Sequence, residues 1–318
     1  TAGPFARYGS KLVAACVAEG THYTDITGEN HWTKKLIDLH HETAKAKGIR
    51  IVPSCGYDSV PSDMGTFFAV SQFNKPVKRV EAYQAALGTV SGGTLETMFD
   101  LVKLPPEAKG SFLTNPEGTV SIEQRKGSKG RFKVQRVQGT KGWSGIGLMA
   151  MTNAKVVRRS AALLEQAKKP YGKDFVYMEY GCYPSRWLAW SASLFLITVF
   201  AVLMTPLRHL IRPLLYKPGQ GPSPEFQEKG WFKTFLLAEA EDGEKKVFSL
   251  SGSGDPGYKS TAKLVCEAAL ALTTPDLLPG GSFYGGVLTS ATALGFPYLE
   301  RLKKAEIDFK VLSSNKEA

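Results

Sequence analysis

The residues that could do chemistry sit in short glycine-bearing stretches beside strand-like and helix-like runs. Thr1-Ala2-Gly3-Pro4-Phe5 leads straight into a helical pattern, and Cys55-Gly56-Tyr57-Asp58-Ser59-Val60-Pro61 follows a strand-like run. Small residues at a strand's carboxyl end let a ligand approach the backbone. In open α/β sheets the crevice outside those ends is where ligands bind. Ordinary strand-to-helix turns use the same residues, and these two stretches alone do not choose between the readings. Ser91-Gly92-Gly93-Thr94 would aim backbone N–H groups from a helix N-terminus at an anion or a carbonyl; a Thr-capped glycine turn is the plain alternative. A literal G-x-G-x-x-G spans residues 252–257. A dinucleotide fold needs a further parallel strand after the helix, and residues 273–280 are turn-rich instead. This motif therefore reads as a strand-to-helix turn with Ser260 as helix cap.

The acidic residues Asp25, Glu29, Asp58 and Asp63 fall at strand ends or in the loops after them. Asp63 also suits the positive end of the following helix. No residue can be matched to a proton-transfer role, so the catalytic residues are unknown from sequence. The five histidines lack any metal-ligand spacing, and no metal site is expected. Of the four cysteines, none forms a C-x-x-C pair; Cys16 and Cys266 fall in helices that read as largely buried. Reduced, buried thiols in a reducing compartment explain them best.

These stretches need elements to aim them. Residues 10–19 put Leu12, Val13, Cys16 and Val17 on one helical face, and Gly20 stops the run. Residues 22–26 read as a strand, 33–47 as a helix ended by Gly48, and 49–54 as a buried strand. This α-β-α-β rhythm predicts a parallel sheet with crossover helices. The chain then changes character. Residues 77–90 read as a long strand, and a helix carrying Leu95, Met98, Phe99 and Val102 follows the SGGT turn. Residues 105–150 are rich in Gly, Lys and Arg, with strand-like pieces at 119–122 and 131–137. A strand at 245–251 and a helix at 260–272 lie further on.

The chain has 318 residues, 43% of them hydrophobic and 22% charged, the composition of a folded protein with one large or two ordinary domains. Its net charge is +11. Residues 125–159 hold ten Lys or Arg and no Asp or Glu. Such a block serves nucleic acid, an anionic membrane, an acidic ligand, or a merely solvated loop and hairpin. It lacks the aromatic interleaving of a stacking platform, which counts against nucleic acid. Residues 187–207 carry no charge at all, and basic residues flank them on both sides. About 20 apolar residues suffice to span a bilayer. Pro206 and Pro213 break the end of the run, which favours insertion into one leaflet over a span, and a span over a core helix.

Taken together, AGPFARYGSKLVAACVAEGTHYTDITGE, GIRIVPSCGYDSVPSDMG, the SGGT turn, KPGQGPSPE, GDPGY and GGVLTSATALG resemble the saccharopine dehydrogenase-like oxidoreductases, in the family's order over nearly the whole chain. The pattern is also similar to that of the trans-acting enoyl reductases, which work on lipid intermediates. The resemblance implies an α/β fold. Residues 1–74 would be the C-terminal part of a Rossmann-type parallel sheet. Residues 75–318 would form a mixed α+β catalytic-type domain, with a membrane-associated apolar segment at 187–216. It places the glycine-rich first turn and the ribose-binding strand upstream of Thr1, so the chain is expected to be N-terminally truncated and to bind NAD or NADP poorly as it stands.

In such relatives Gly3, Pro4 and Phe5 would approach the cofactor, and Gly56 with Asp58 would face the same crevice. The implied partners are a lipid-like small-molecule substrate and a membrane or lipid-droplet surface, at a lipid droplet or mitochondrion. A homodimer stays open. The alternative is a catalytically inactive membrane or lipid-droplet protein that keeps the fold.

Overall fold

In the computed structural model residues 4–88, 92–130, 132–208 and 221–315 are described. Helices α1 (Phe5–Tyr8) and α2 (Ser10–Ala18) precede strand β1 (Tyr23–Thr24), and α3 (Asn30–Ala46) crosses to β2 (Arg50–Val52). Val13 and Val17 of α2 and Trp32, Leu36 and Ala44 of α3 recur at helical spacing and bury together with Phe5, Ile51 and Val287. Gly20 and Gly48 follow these helices at φ +74 and +66, a left-handed conformation that glycine adopts without strain. β1 and β2 pair in parallel, as the helix–strand alternation predicts.

The third strand of this sheet is β8 (Gly286–Val287), parallel to β2. The chain thus returns from its far end to the first sheet, across the division at 74/75 that the sequence suggested. A two-residue strand such as β8 leaves almost no periodic signal in the sequence.

The second sheet is mixed, in the order β4-β5-β3-β6-β7-β9. Its strands are β3 (Val77–Leu87), β4 (Trp143–Gly145), β5 (Val176–Tyr183), β6 (Trp231–Ala240), β7 (Lys245–Ser253) and β9 (Asp308–Asn315). Only β3 and β5 run parallel; the other pairs are antiparallel. The helices of this part include α4 (Val60–Ser71), α5 (Gly92–Val102), the short α6 (Ile122–Gly127), α7 (Ala150–Gln166) and α8 (Arg186–Leu203). Short α9 (Pro224–Lys229), α10 (Thr261–Leu272), α11 (Ser290–Ala293) and α12 (Gly295–Lys304) complete the set. One continuous core joins Val52, Met64 and Phe68 to Tyr177, Leu236, Phe248, Leu264 and Leu294. The result is an α/β fold with a parallel sheet and a second, mixed sheet.

Several sequence expectations change here. Residues 119–122 form no strand; Ser121 caps α6 in a reciprocal capping box with Gln124. Of 131–137, only Arg136 makes a strand-like bridge, to Trp143. Cys16 is half-buried and Cys266 exposed, because the inner faces of their helices are Val13/Val17 and Leu264/Ala268/Leu272. Cys55 is the buried thiol. Ser260 does not cap α10 through its side chain: its hydroxyl donates to the Ser253 and Gly254 carbonyls, and Asp255 accepts from the Tyr258 amide instead. The basic block is split. Its first part lies in exposed loops and α6, but Lys155, Arg158 and Arg159 are buried in α7. Arg158 donates to the Ser111 and Tyr177 carbonyls, and Arg159 to those of Thr114 and Val287. These are internal cross-ties, not a surface patch.

Candidate functional site

The ends of β1 and β2 are braced to each other. The buried Asp25 carboxylate accepts from the Thr27 amide (2.9 Å), the Ser54 amide (3.0 Å) and the Tyr23 hydroxyl (2.8 Å). Ser54 sits at φ +65, and its hydroxyl donates to the Thr27 carbonyl. A non-glycine residue held there costs roughly 1–2 kcal/mol. The strain turns the chain sharply after β2 and aims residues 56–58 across the sheet end. Asp63, which the sequence places near a helix dipole, is fully buried and accepts from the Ala291 amide and the Ser160 hydroxyl, joining α4, α7 and α11.

These loops form one wall of a cleft of about 880 Å³. Ile26, Gly56, Tyr57 and Asp58 face Gln84 of β3, Glu179 and 181–184 around the end of β5, and Phe235 of β6; Leu188 and Leu196 of α8 form the roof. A smaller chamber of about 300 Å³ adjoins it, lined by Phe5, Gly28, Glu29, Lys155, Phe200 and Met204 among others. Ile26, Asp58, Leu148 and Met149 belong to both walls. Gly56 and Phe5 thus face different cavities, and Asp58 stands between them. Pro4 is buried just ahead of α1. Gly3 and Ser91 lie outside the described residues, as do the side chains at 93–95, so the SGGT turn is not assessed as an anion site.

Asp58 is the titratable group at the junction. Burial pushes its carboxyl from the ordinary value near 4 up to about 6. The folded protein therefore holds this proton more tightly than the unfolded chain. The stability it contributes is present below pH 4 and is lost as pH rises through about 6. Asp58→Asn should accordingly gain about 2 kcal/mol on the wild type between pH 4.5 and 8, read from urea midpoints. Parallel pH curves for the two proteins would show the carboxyl to be freely solvated.

The cleft floor carries a polar cluster that sequence reasoning missed. Glu179, inside an otherwise apolar strand, accepts from Ser62 Oγ (2.6 Å), Tyr177 OH (2.7 Å) and Asn153 Nδ2 (2.8 Å). Gln84 donates to Ser62, and Ser59 donates to Asn153 Oδ1. Burial raises the Glu179 carboxyl, and these hydrogen bonds oppose the rise. The available signal was a lone acid in VYMEY, at a position where a strand buried on both faces should be apolar.

α8 docks through small residues. Ala189 and Ser193 lie one turn apart and are fully buried; Ser193 Oγ accepts from the Ile146 amide and donates to the Ala189 carbonyl. A Cβ on Gly145 would lie 2.8 Å from Ser193 Oγ, so only glycine lets the helix this close to β4. The opposite face is open: Trp187 is 83% exposed, Phe195 66% and Leu194 63%. This exposure excludes the core-helix reading. Among the described residues α8 is the one helix long and apolar enough to cross a membrane, by length and composition.

A parallel sheet whose strand ends open onto a cleft closed by a mixed sheet is an α/β arrangement of the Rossmann-like kind, and the crevice at the strand carboxyl ends is the candidate site. No family model matches the chain. A Mycobacterium tuberculosis protein provisionally named a trans-acting enoyl reductase is 33% identical, over 98% of this chain and 78% of its own. The trans-acting enoyl reductases of Mycobacterium bovis and Mycobacterium ulcerans are 31% and 32% identical, each over 96% of this chain and 78% of theirs. The apo, histidine-tagged saccharopine dehydrogenase (L-Glu forming) of Saccharomyces cerevisiae has a TM-score of 0.48 at 11% identity, over 98% of this chain and 83% of that one. The chain belongs to the family of the trans-acting enoyl reductases.

Proposed function

We propose that this protein is an NAD(P)-dependent oxidoreductase acting on a lipid-linked substrate at a membrane or lipid-droplet surface. The observation that carries the reading is the two-sidedness of α8. Its inner side supplies Leu188 and Leu196 to the cleft and Phe200 to the chamber, while Trp187, Leu194 and Phe195 face outward. An apolar substrate leaving a bilayer beside α8 would meet Leu188, Leu196, Phe235 and Leu148 on its way to Asp58. The relatives named as enoyl reductases support the reaction class.

The described residues fit one part of a nicotinamide dinucleotide. The crevice at the ends of β1 and β2 has the close-approach backbone at Gly56 and the ring of Phe5, with Asp58 between the two cavities. Pro4 would sit at the cofactor's edge. No phosphate cradle faces the crevice among the described residues, since the first amides of α1, on Phe5 and Ala6, donate to Glu29. When bound, the reduced cofactor would supply hydride. The chain's own part is to exclude water with α8, to orient an apolar substrate against Tyr57 and Phe235, and to exchange a proton at Asp58 around pH 6.

The test is fluorescence titration of the full-length protein with NADPH and NADH. Saturable binding is expected for one of them. A Cβ on Gly56 would lie 3.2 Å from both Ile26 Cβ and Thr261 Cγ2, so Gly56→Val should force the strand-end loops apart and weaken that binding at least 10-fold. Unchanged affinity in a folded Gly56→Val protein would remove this crevice as the cofactor site. Absence of any binding to the folded wild type would leave a membrane protein that keeps the fold without the chemistry.

A further inference from the structure

α7 buries three cations, and among the described residues they are not treated alike. Arg158 and Arg159 spend their guanidinium groups on backbone carbonyls. Lys155 is 8% exposed, yet its ammonium makes no hydrogen bond or ion pair. Its side chain lines the 300 Å³ chamber instead. Its ammonium is not sealed off but opens on the chamber, where a cation so enclosed is costly unless it is paired or hydrated. Burial, with Arg158 nearby, lowers its proton affinity.

His31 lines the same chamber, and its Nδ1 is sequestered without a partner. Two carboxyls line the chamber: Glu29, engaged by the Phe5 and Ala6 amides at 2.7 and 3.0 Å, and Asp58, on the wall shared with the large cleft, whose proton affinity burial raises. Lys109, also on the wall, donates to the Val102 carbonyl. Away from this polar end the walls are apolar and adaptable: Met98, Met149, Met151 and Met204, with Phe200.

We propose that this chamber is a binding site for an amphipathic carboxylate, a fatty-acid-like molecule whose head pairs with Lys155 and whose chain runs along the methionines toward α8. The ligand completes an ion pair that the protein alone leaves open. Lys109 is the other ammonium on the wall and already donates to a backbone carbonyl, whereas the Lys155 ammonium makes no hydrogen bond. The site shares Asp58 and Met149 with the large cleft, so its occupant would lie against that cleft's wall. The cofactor reading also uses Phe5 on this chamber's wall, so competition between the two ligands is part of the test.

The experiment is calorimetric titration of the full-length protein with decanoate, with decan-1-ol and acetate as probes of tail and head alone. Decanoate should bind saturably, and at least 10-fold more tightly than either. Lys155→Met keeps the volume and removes the unpaired charge. It should lower decanoate affinity at least 10-fold while leaving the urea midpoint equal or higher. Met98→Trp, which fills the chain channel, should weaken decanoate binding with Lys155 intact. Equal binding of decanoate and decanol would overturn the proposal, as would Lys155→Met binding decanoate like the wild type or losing stability. Displacement of decanoate by NADPH would assign the chamber to the cofactor and overturn it as well, whereas the oxidoreductase reading rests on the NADPH titration itself.

Discussion

Glu179→Ala is expected to lower the unfolding free energy by about 3 kcal/mol, measured by urea denaturation at pH 7. The carboxyl gathers Ser62, Tyr177 and Asn153 at the floor of the cleft, and all of them are buried. Truncation leaves these donors facing a cavity, and each unsatisfied buried polar group costs about 1–3 kcal/mol, only part of which a trapped water recovers. Glu179→Gln should cost far less, about 1 kcal/mol, because burial favours the neutral carboxyl that glutamine imitates. The sign with pH follows from the raised proton affinity. The wild type loses this group's contribution as pH rises above the ordinary carboxyl range, so the Gln variant should close the gap, or pass the wild type, as pH is raised. A loss after Glu179→Gln as large as after Glu179→Ala would show that the ionised form is the one the cluster needs.

The triple variant Trp187→Glu, Leu194→Glu, Phe195→Glu should reduce vesicle binding by more than 100-fold in a flotation assay with anionic phospholipid vesicles. These side chains are the most exposed apolar groups on α8 and make no core. Each inserted large side chain contributes about 1.5–3 kcal/mol, so losing three exceeds two decades of partitioning even when insertion is partial. Arg186 and Arg208 flank the helix and would add attraction to an anionic surface. Because the changed residues face away from the core, the melting temperature should move by less than a few degrees. Equal flotation of the variant and the wild type would end the membrane reading without touching the oxidoreductase one. The two claims stand on different faces of the same helix.

The α-β-α-β opening was legible because Val13/Val17, Trp32/Leu36 and Ile51 lie within one helix or strand each, and their burial follows local periodicity. The family likeness was legible too, since it rests on short motifs in order. The 187–207 run could be seen as apolar, but not which side of it packs. That was decided by Gly145 meeting Ala189 and Ser193, residues more than forty positions apart in sequence. The junction at Asp58 needed β1, β2 and α7 brought together. Lys155, Arg158 and Arg159 show the limit most clearly. Sequence counts them as one basic block with Arg125, and nothing local says that three will be buried. Charge and periodicity are properties of neighbours along the chain, and the sequence by itself determined those. Burial, partner choice and the shifted proton affinities of Asp58 and Glu179 arise from groups that meet only when distant segments pack, so the tertiary structure alone decided them.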